Sequence, residues 1–205
     1  MNAPWSEGVR PAVREAVAAI LRLPFFTGIR EGTLPRGTFE NYLRRDAAYL
    51  VSYAQAMRRI ASRLTEPADR ELFTRFADEG VAAERDMQGG YGVRPVSESA
   101  TEPCLCARLI RHAAEAEPLP VALAAVFPCF EVYAELGTAL RRSVRPDNPY
   151  RDWVLAYSNP SFAADAKACA ALCDRFAAQF PEQQPAMTAA VHAGLAAEQA
   201  FFTGE

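Results

Sequence analysis

Prolines divide this chain into helix-length segments, and that division limits what it can fold into. The chain has 205 residues, 15 of them proline. Proline fits the first turn of a helix but interrupts a helix interior. No segment between the prolines shows sustained alternation of polar and β-branched apolar residues, so no strand is predicted. The sequence therefore predicts a single all-α domain over residues 1–205, a bundle of seven or eight helices.

Proline and glycine positions also set the expected helix bounds. A run of four residues with three glycines, 89–92, ends one helix, and residues 93–100 are expected to form a loop. The predicted helices cover residues 12–23, 38 to about 64, 67 to about 87, 101 to about 116, 121 to about 144, 149–157, 160–180 and 184–202.

Composition excludes several classes of partner. The net charge is −3, with no basic stretch typical of a nucleic-acid binder. The first residues carry no apolar run of a secretion signal, and we expect no uninterrupted apolar stretch to be long enough to cross a bilayer. We therefore expect a soluble, cytoplasmic protein with neither nucleic acid nor membrane as partner.

The cysteines do not predict a disulfide or a metal site. Five cysteines are an odd number, and without a secretion signal disulfides are disfavoured. Cys104 and Cys106 form a CxC pair and Cys169 and Cys173 a CxxxC pair, which differ from the CxxC spacing of structural zinc. Two histidines are too few for a di-iron bundle with paired Glu-x-x-His motifs.

The long apolar stretch from residue 121 to 142 predicts a buried central helix with Pro128-Cys129 near its middle. A proline there removes a backbone hydrogen bond and bends the helix just before the thiol. Tyr133 lies one turn further on the same face. This arrangement is compatible with a nucleophile beside an aromatic neighbour, and equally with an ordinary core cysteine.

Two acidic residues fall on faces that should be apolar. Asp46 shares a helix face with Tyr42, Tyr49 and Tyr53, and Glu198 shares one with Val191, Leu195 and Phe202. A buried carboxylate is costly unless it is paired. Each acid is therefore bonded to an arginine such as Arg44 or Arg45, has a shifted pKa and a chemical role, or faces water.

The remaining acids of the central helix, Glu131 and Glu135, fall on other faces and are expected in solvent. A thiol, two carboxyl groups and several tyrosines would suit a small-molecule site with flat aromatic walls. Thiols are strong nucleophiles once deprotonated, and two carboxyls in different environments divide acid and base roles. Together these residue types suggest covalent addition to an electron-poor heteroaromatic ring.

Five segments in order resemble the TenA or thiaminase II family, from about Leu23 to Phe202. They are PFFTGIREGTLP at 24–35, RDAAYL at 45–50, FPCFEVYAELG at 127–137, AYS at 156–158 followed by Phe162, and EQAFF at 198–202. The resemblance implies a heme-oxygenase-like helical fold and a homo-oligomer, tetramer or dimer. It also implies hydrolytic removal of the amine from 4-amino-5-aminomethyl-2-methylpyrimidine in thiamin salvage, with cleavage of thiamin as a related activity, and no metal or organic cofactor.

The same resemblance assigns roles to residues. Cys129 would be the nucleophile that adds to the pyrimidine, and Glu198 would carry the proton to the leaving amine and activate water. Asp46 would bind the 4-amino group and the adjacent ring nitrogen. The residues implied to line the pocket around the ring are Tyr49, Tyr133 and Tyr157.

The chain departs from the family pattern at several positions. Cys106 stands where the family often has a ring-stacking tyrosine, and Phe202 replaces the closing tryptophan, so both are expected at the substrate. Glu131 replaces an aromatic residue, and the segment 84–90 lacks the usual histidine. Because stacking supplies much of the grip on a flat ring, two alternatives stay open: a TenA-like enzyme with another heteroaromatic substrate, and a non-catalytic ligand-binding or regulatory homologue.

Overall fold

The computed structural model describes residues 3–94 and 104–203, and within these ranges the regular structure is entirely helical, which confirms the all-α prediction. The α-helices are α1 Trp5–Ile20, α2 Pro24–Glu31, α3 Arg36–Arg63, α4 Pro67–Arg75, α5 Val81–Gly90, α6 Leu105–Ala116, α7 Leu119–Arg141, α8 Arg151–Tyr157, α9 Pro160–Gln179 and α10 Gln184–Thr203. A π-helical turn, Phe76–Gly80, joins α4 to α5, and a short 3₁₀ turn, Pro181–Gln183, precedes α10.

The N-terminal part differs from the prediction. The helix expected over residues 12–23 begins at Trp5 and ends at Ile20, with Pro11 inside it. The buried stripe Val9, Val13, Val17 and Ile20 continues past the proline, so burial outweighs the hydrogen bond that proline removes. The unpredicted α2 starts with proline at its first position and ends at Gly32 in the left-handed conformation (φ 72°), the usual stop signals of a short helix.

The helix predicted from residue 67 to about 87 reaches Gly90 and contains the π turn. Val93 and Arg94 have no regular structure, as expected, whereas the rest of the predicted loop and the start of the helix predicted from residue 101 fall outside the described residues. The next described helix, α6, begins at Leu105 with the Cys104 side chain accepting a hydrogen bond from the Ala107 amide.

The central helix α7 is buried on nearly all sides and contacts α9 and α10 extensively. Its length and composition would allow it to cross a membrane, so the expectation that no stretch is long enough is wrong. However, 78% of its most apolar window is buried inside the protein. Its hydrophobicity is accounted for by the core that surrounds it.

The expectation that Glu131 is solvated is also wrong. Its side chain is buried, and Arg10 Nη1 on α1 lies 3.4 Å from its carboxylate. Burial raises the pKa of Glu131, and the positive charge of Arg10 opposes that shift. The acid is therefore part of the α1–α7 contact, while Glu135 on the same helix is half-buried.

Two glycines allow neighbouring helices to pack closely. A Cβ on Gly137 of α7 would lie 2.5 Å from the Tyr157 carbonyl at the end of α8, and one on Gly194 of α10 would lie 2.7 Å from the Pro128 ring. Both distances are far inside van der Waals contact. Gly137 therefore positions Tyr157, and Gly194 lets α10 approach α7 directly beside Cys129.

We expect Gly137→Ala to destabilise the protein by about 1–3 kcal/mol, the usual cost of overpacking, despite the better helix propensity of alanine. The control is Gly8→Ala in the exposed part of α1, where a Cβ meets nothing within 4 Å; it should stabilise by about 0.5–1 kcal/mol. Urea unfolding measures both. An unchanged or higher free energy of unfolding for Gly137→Ala would contradict the close approach.

Candidate functional site

A cavity of about 450 Å³ lies between α3, the π turn, α5, α7, α8 and the start of α9. This volume falls in the range of small-molecule sites, and the walls are largely aromatic. Side chains that matter most for its chemistry are Asp46, Tyr49, Tyr53, Phe76, Glu84, Cys129, Tyr133 and Tyr157. The structure thus brings the sulfur and one of the two predicted carboxyl groups to a single ring-sized space.

Cys129 lines the cavity from the middle of α7 and is half-buried. The Tyr49 hydroxyl on α3 lies 2.8 Å from Sγ. Burial raises the pKa of the thiol well above its ordinary value, negative charge on Glu198 adds to this, and the hydrogen bond from Tyr49 lowers it. The resting sulfur is therefore a neutral thiol whose anion Tyr49 is placed to stabilise.

Glu198 reaches the same thiol from α10. Its side chain is 4% exposed, forms a hydrogen bond with the Cys129 thiol, and lies behind the sulfur rather than on the cavity wall. Burial raises its pKa to about 8, while the hydrogen bond from the thiol opposes the shift. Near neutral pH a fraction of Glu198 is ionised, so it is poised to take the thiol proton.

Asp46 lies on the part of the cavity wall formed by α3 and is 2% exposed. Its hydrogen-bond partners are Gln88 and Glu84 rather than an arginine. Pairing with an arginine, the first of the three explanations above, is therefore not what the structure shows. Gln88 Nε2 donates to its Oδ2 at 2.7 Å, and its carboxyl group also hydrogen bonds with that of Glu84. Burial, followed by the charge of Glu84, raises the pKa of Asp46 well above its ordinary value.

Sequence reasoning did not identify Glu84 and Gln88 as site residues. Both belong to α5, where Glu84 lines the cavity and accepts a hydrogen bond from the Tyr157 hydroxyl. A signal was present: Val81, Glu84 and Gln88 are spaced i, i+3 and i+7 and share one helix face, of which Val81 and Gln88 are buried.

Two of the predicted tyrosines, Tyr133 and Tyr157, form an aromatic wall. The rings of Tyr133 and Tyr157 lie 4.6 Å apart, and the Tyr133 hydroxyl is 3.4 Å from that of Tyr42 beneath the wall. Burial raises the pKa of each of these phenols. They remain neutral hydrogen-bond donors with ring faces available to a flat ligand.

Two predicted substrate contacts do not reach the cavity surface. Cys106 on α6 is buried and hydrogen bonds with Cys104. Phe202 on α10 stacks on Tyr42 at 5.7 Å and contacts Tyr133 at 5.9 Å, behind the wall. Neither side chain lines the cavity. Both lie in the layer of helices outside the residues that do.

The cysteines do not assemble a metal site. All five are free thiols: Cys169 and Cys173 are fully buried on α9, Cys106 is buried on α6, and the half-buried Cys104 precedes α6. No group of three or more His, Cys, Asp or Glu side chains suited to a metal ion occurs within residues 3–94 and 104–203.

Known proteins resemble this chain along nearly its whole length. A model of the TENA/THI-4/PQQC family matches residues 10–204. The chain is 29% identical over 205 residues to the thiamine biosynthesis multifunctional protein ThiED of Corynebacterium efficiens, covering 97% of this chain and 28% of that protein. It therefore spans about a quarter of the length of the ThiED relatives it matches. It is 28% identical over 174 residues to the aminopyrimidine aminohydrolase of Bacillus subtilis, covering 77% of this chain and 70% of that enzyme.

Solved structures share the fold. A TenA homologue from P. horikoshii OT3 superposes with a TM-score of 0.83 at 22% identity, covering 98% of this chain and 97% of that one. A TenA family transcription regulator from Silicibacter sp. TM1040 gives the same TM-score and identity, with 97% and 94% coverage. The helical arrangement is therefore the heme-oxygenase-like fold that the sequence motifs imply.

Glu198→Gln should make stability less sensitive to pH. Between the ordinary glutamate value of 4.5 and about 8, native Glu198 holds a proton that the unfolded chain has lost. Its stabilising contribution is complete below pH 4.5 and falls as pH rises to 8. Within this pH window, we expect the free energy of unfolding of the variant to rise relative to that of wild type by up to about 1.4 kcal/mol per pH unit. Urea unfolding of both proteins at several pH values measures it; a difference independent of pH would refute the burial of an ionisable Glu198.

Tyr49→Phe should slow alkylation of Cys129 by iodoacetamide. Removing the hydroxyl that stabilises the thiolate raises the thiol pKa further, by an amount that corresponds to about ten-fold or more in rate. Tyr53→Phe is the matched control, because Tyr53 also lines the cavity on α3 but makes no hydrogen bond to Sγ. Mass spectrometry of the peptide containing Cys129 follows the reaction. Equal rates for the two variants would contradict the role of Tyr49.

Proposed function

The chain belongs to the TENA/THI-4/PQQC family, and from this premise we propose that it is a thiaminase II-like hydrolase, an aminopyrimidine aminohydrolase of thiamin metabolism. Its relatives in Bacillus subtilis and Halalkalibacterium halodurans carry that name at 28% and 25% identity. The observation that carries the proposal is the contact of one thiol with both Tyr49 and Glu198, on the wall of an aromatic cavity that also holds Asp46.

The substrate we propose is 4-amino-5-aminomethyl-2-methylpyrimidine. Its flat ring lies along the tyrosine wall, and Asp46 binds the edge formed by the 4-amino group and the neighbouring ring nitrogen. This edge pairs with a carboxyl group through two parallel hydrogen bonds, a geometry that fixes orientation as well as affinity. The aminomethyl group then points toward Cys129.

The proposed reaction begins when Glu198 takes the proton of Cys129 and Sγ adds to an electron-poor ring carbon. The displaced electron pair moves onto the ring nitrogen held by Asp46. Its return expels the amine, which receives the proton from Glu198 and leaves as ammonia. Glu198 then removes a proton from water as the water adds to the exocyclic carbon, and the thiol is eliminated. The net change is replacement of the amine by a hydroxyl group, with the enzyme regenerated.

The expected partners follow from this chemistry. The ligand is a small pyrimidine, and no metal or organic cofactor takes part in any step. We also propose a cytoplasmic homo-oligomer, a tetramer or dimer, that acts without nucleic acid or membrane.

A second candidate function is cleavage of thiamin itself or of a related compound with a larger leaving group. The size of the cavity favours it, since about 450 Å³ lies in the range of sites for drug-sized ligands. The outer end carries polar groups, including the Arg75–Asp165 ion pair at 2.8 Å. A second ring would have room there while the pyrimidine keeps the same position.

Ammonia release from the aminomethylpyrimidine should fall on the order of 10³-fold or more in Cys129→Ala and about 10²- to 10⁴-fold in Glu198→Gln. The matched control is Cys173→Ala, which removes a buried thiol outside the cavity and should leave turnover intact. A coupled ammonia assay measures all three.

Each alternative has its own outcome in that assay. Equal inertness of wild type and Cys129→Ala would reject this substrate. Turnover of thiamin alone would favour the second candidate. Tight binding of the pyrimidine without turnover of either compound would identify a ligand-binding protein.

A further inference from the structure

Two carboxyl groups meet on the wall of the cavity. Asp46 on α3 and Glu84 on α5 hydrogen bond with each other, and both line the cavity. Gln88 Nε2 donates to Asp46, and the Tyr157 hydroxyl donates to Glu84. A carboxyl–carboxyl hydrogen bond needs one proton, so the pair is a unit with one proton and one negative charge.

Asp46 and Glu84 share this proton. Burial is the largest cause that raises the pKa of both groups, while a hydrogen bond from Gln88 to Asp46 and one from Tyr157 to Glu84 oppose that shift. The empty cavity therefore holds one carboxylic acid and one carboxylate, joined by their hydrogen bond.

Among residues 3–94 and 104–203, no ion pair of an arginine or lysine includes Asp46 or Glu84. Glu198 adds further negative charge, which raises the pKa of Asp46, and Glu84 in turn raises the pKa of Glu198. A carboxylate held this way in an aromatic cavity is costly, and a protonated ring placed between the two carboxyls would stabilise it.

We infer that Glu84 is a second substrate-contacting carboxyl group, and that with Asp46 it selects heteroaromatic amines whose edge, a ring nitrogen beside an exocyclic amine, becomes protonated on binding. The inference rests on the proposed function and deepens it, since it names a specificity residue of the same site. Asp46 binds the ring N–H and one amine N–H, while Glu84 accepts the other amine N–H.

The step conserves protons and charge. The ligand enters neutral, and the proton shared by Asp46 and Glu84 moves to the ring nitrogen, whose lone pair forms the N–H bond. The electrons of the former O–H bond stay on the carboxyl oxygen that held the proton. The complex then holds a ligand cation between two carboxylates and keeps the net charge of −1 that the empty pair had.

Groups from every surrounding helix remain neutral during this transfer or sit far enough away to act only by charge. The facing groups are Tyr42 on α3, Gln88 on α5, Tyr133 on α7, Tyr157 on α8 and Glu198 on α10. A protonated ring is more electron-poor, so the carboxyl pair would favour addition by Cys129.

The probe is 4-amino-2-methylpyrimidine, which lacks the aminomethyl group and cannot be turned over. Its ultraviolet spectrum distinguishes the protonated ring from the neutral one. At a pH above the ring's own pKa in water, we expect the probe bound to wild type to have the protonated spectrum. Glu84→Gln should bind it about ten- to a hundred-fold more weakly, the value of a charge-assisted hydrogen bond, and in the neutral form.

The matched control is Asp86→Asn, which removes an exposed carboxylate two residues away on α5 and should behave as wild type. Tyr157→Phe keeps the Glu84 carboxylate but not its hydrogen bond, so it should keep the protonated spectrum with weaker binding. A neutral probe on wild type, or equal affinity and spectrum in Glu84→Gln, would overturn the inference; the wild-type spectrum decides even if Glu84→Gln does not fold.

Failure of this inference is distinguishable from failure of the proposed function. If wild type binds the probe as a cation but releases no ammonia from the aminomethylpyrimidine, the proposed function is rejected and the role of the carboxyl pair is upheld. If wild type releases ammonia but binds the probe in its neutral form, the proposed function is upheld and the role of the carboxyl pair is rejected.

Discussion

The contact between α7 and α10 at Pro128 and Gly194 is the constraint on which the site depends. With no side chain on Gly194, α10 lies directly against the proline ring. One turn further along α10, Glu198 reaches the thiol of Cys129, the residue that follows the proline. Any larger residue at position 194 would push α10 outward and separate the carboxyl group from the sulfur, because both backbones at this point are rigid.

Burial gives two pairs of ionisable groups at the cavity a common electrostatic character. In one pair, the Cys129 thiol and the Glu198 carboxyl group, whose pKa is about 8, share a hydrogen bond. In the other, Asp46 and Glu84 share one proton. Removing water from these groups favours their neutral forms, so protons needed for acid–base chemistry are already stored in the empty site. Proteins tolerate such costly groups mainly where they serve function.

Much of the site could be predicted from helix faces and short motifs. The spacing of Asp46 and the tyrosines on α3, and of Glu198 on α10, was sufficient to expect buried acids, because one uninterrupted helix preserves the 3.6-residue period. Glu84 and Gln88 share one face of α5 with Val81, but helix-face spacing alone does not show that this face meets the cavity. That depends on how α5 packs against α3 and α8.

The prediction that Glu131 faces solvent was wrong for a different reason, which lies outside its own helix. Its burial depends on Arg10, and Arg10 is available only because α1 continues through Pro11. A propensity argument begins the helix after that proline, whereas the apolar stripe that extends it back to Trp5 stabilises the helix only once it packs against α7, α9 and α10. Helix faces can thus be read from sequence where one helix is continuous, whereas pairs formed between helices depend on tertiary contacts that decide where each helix begins.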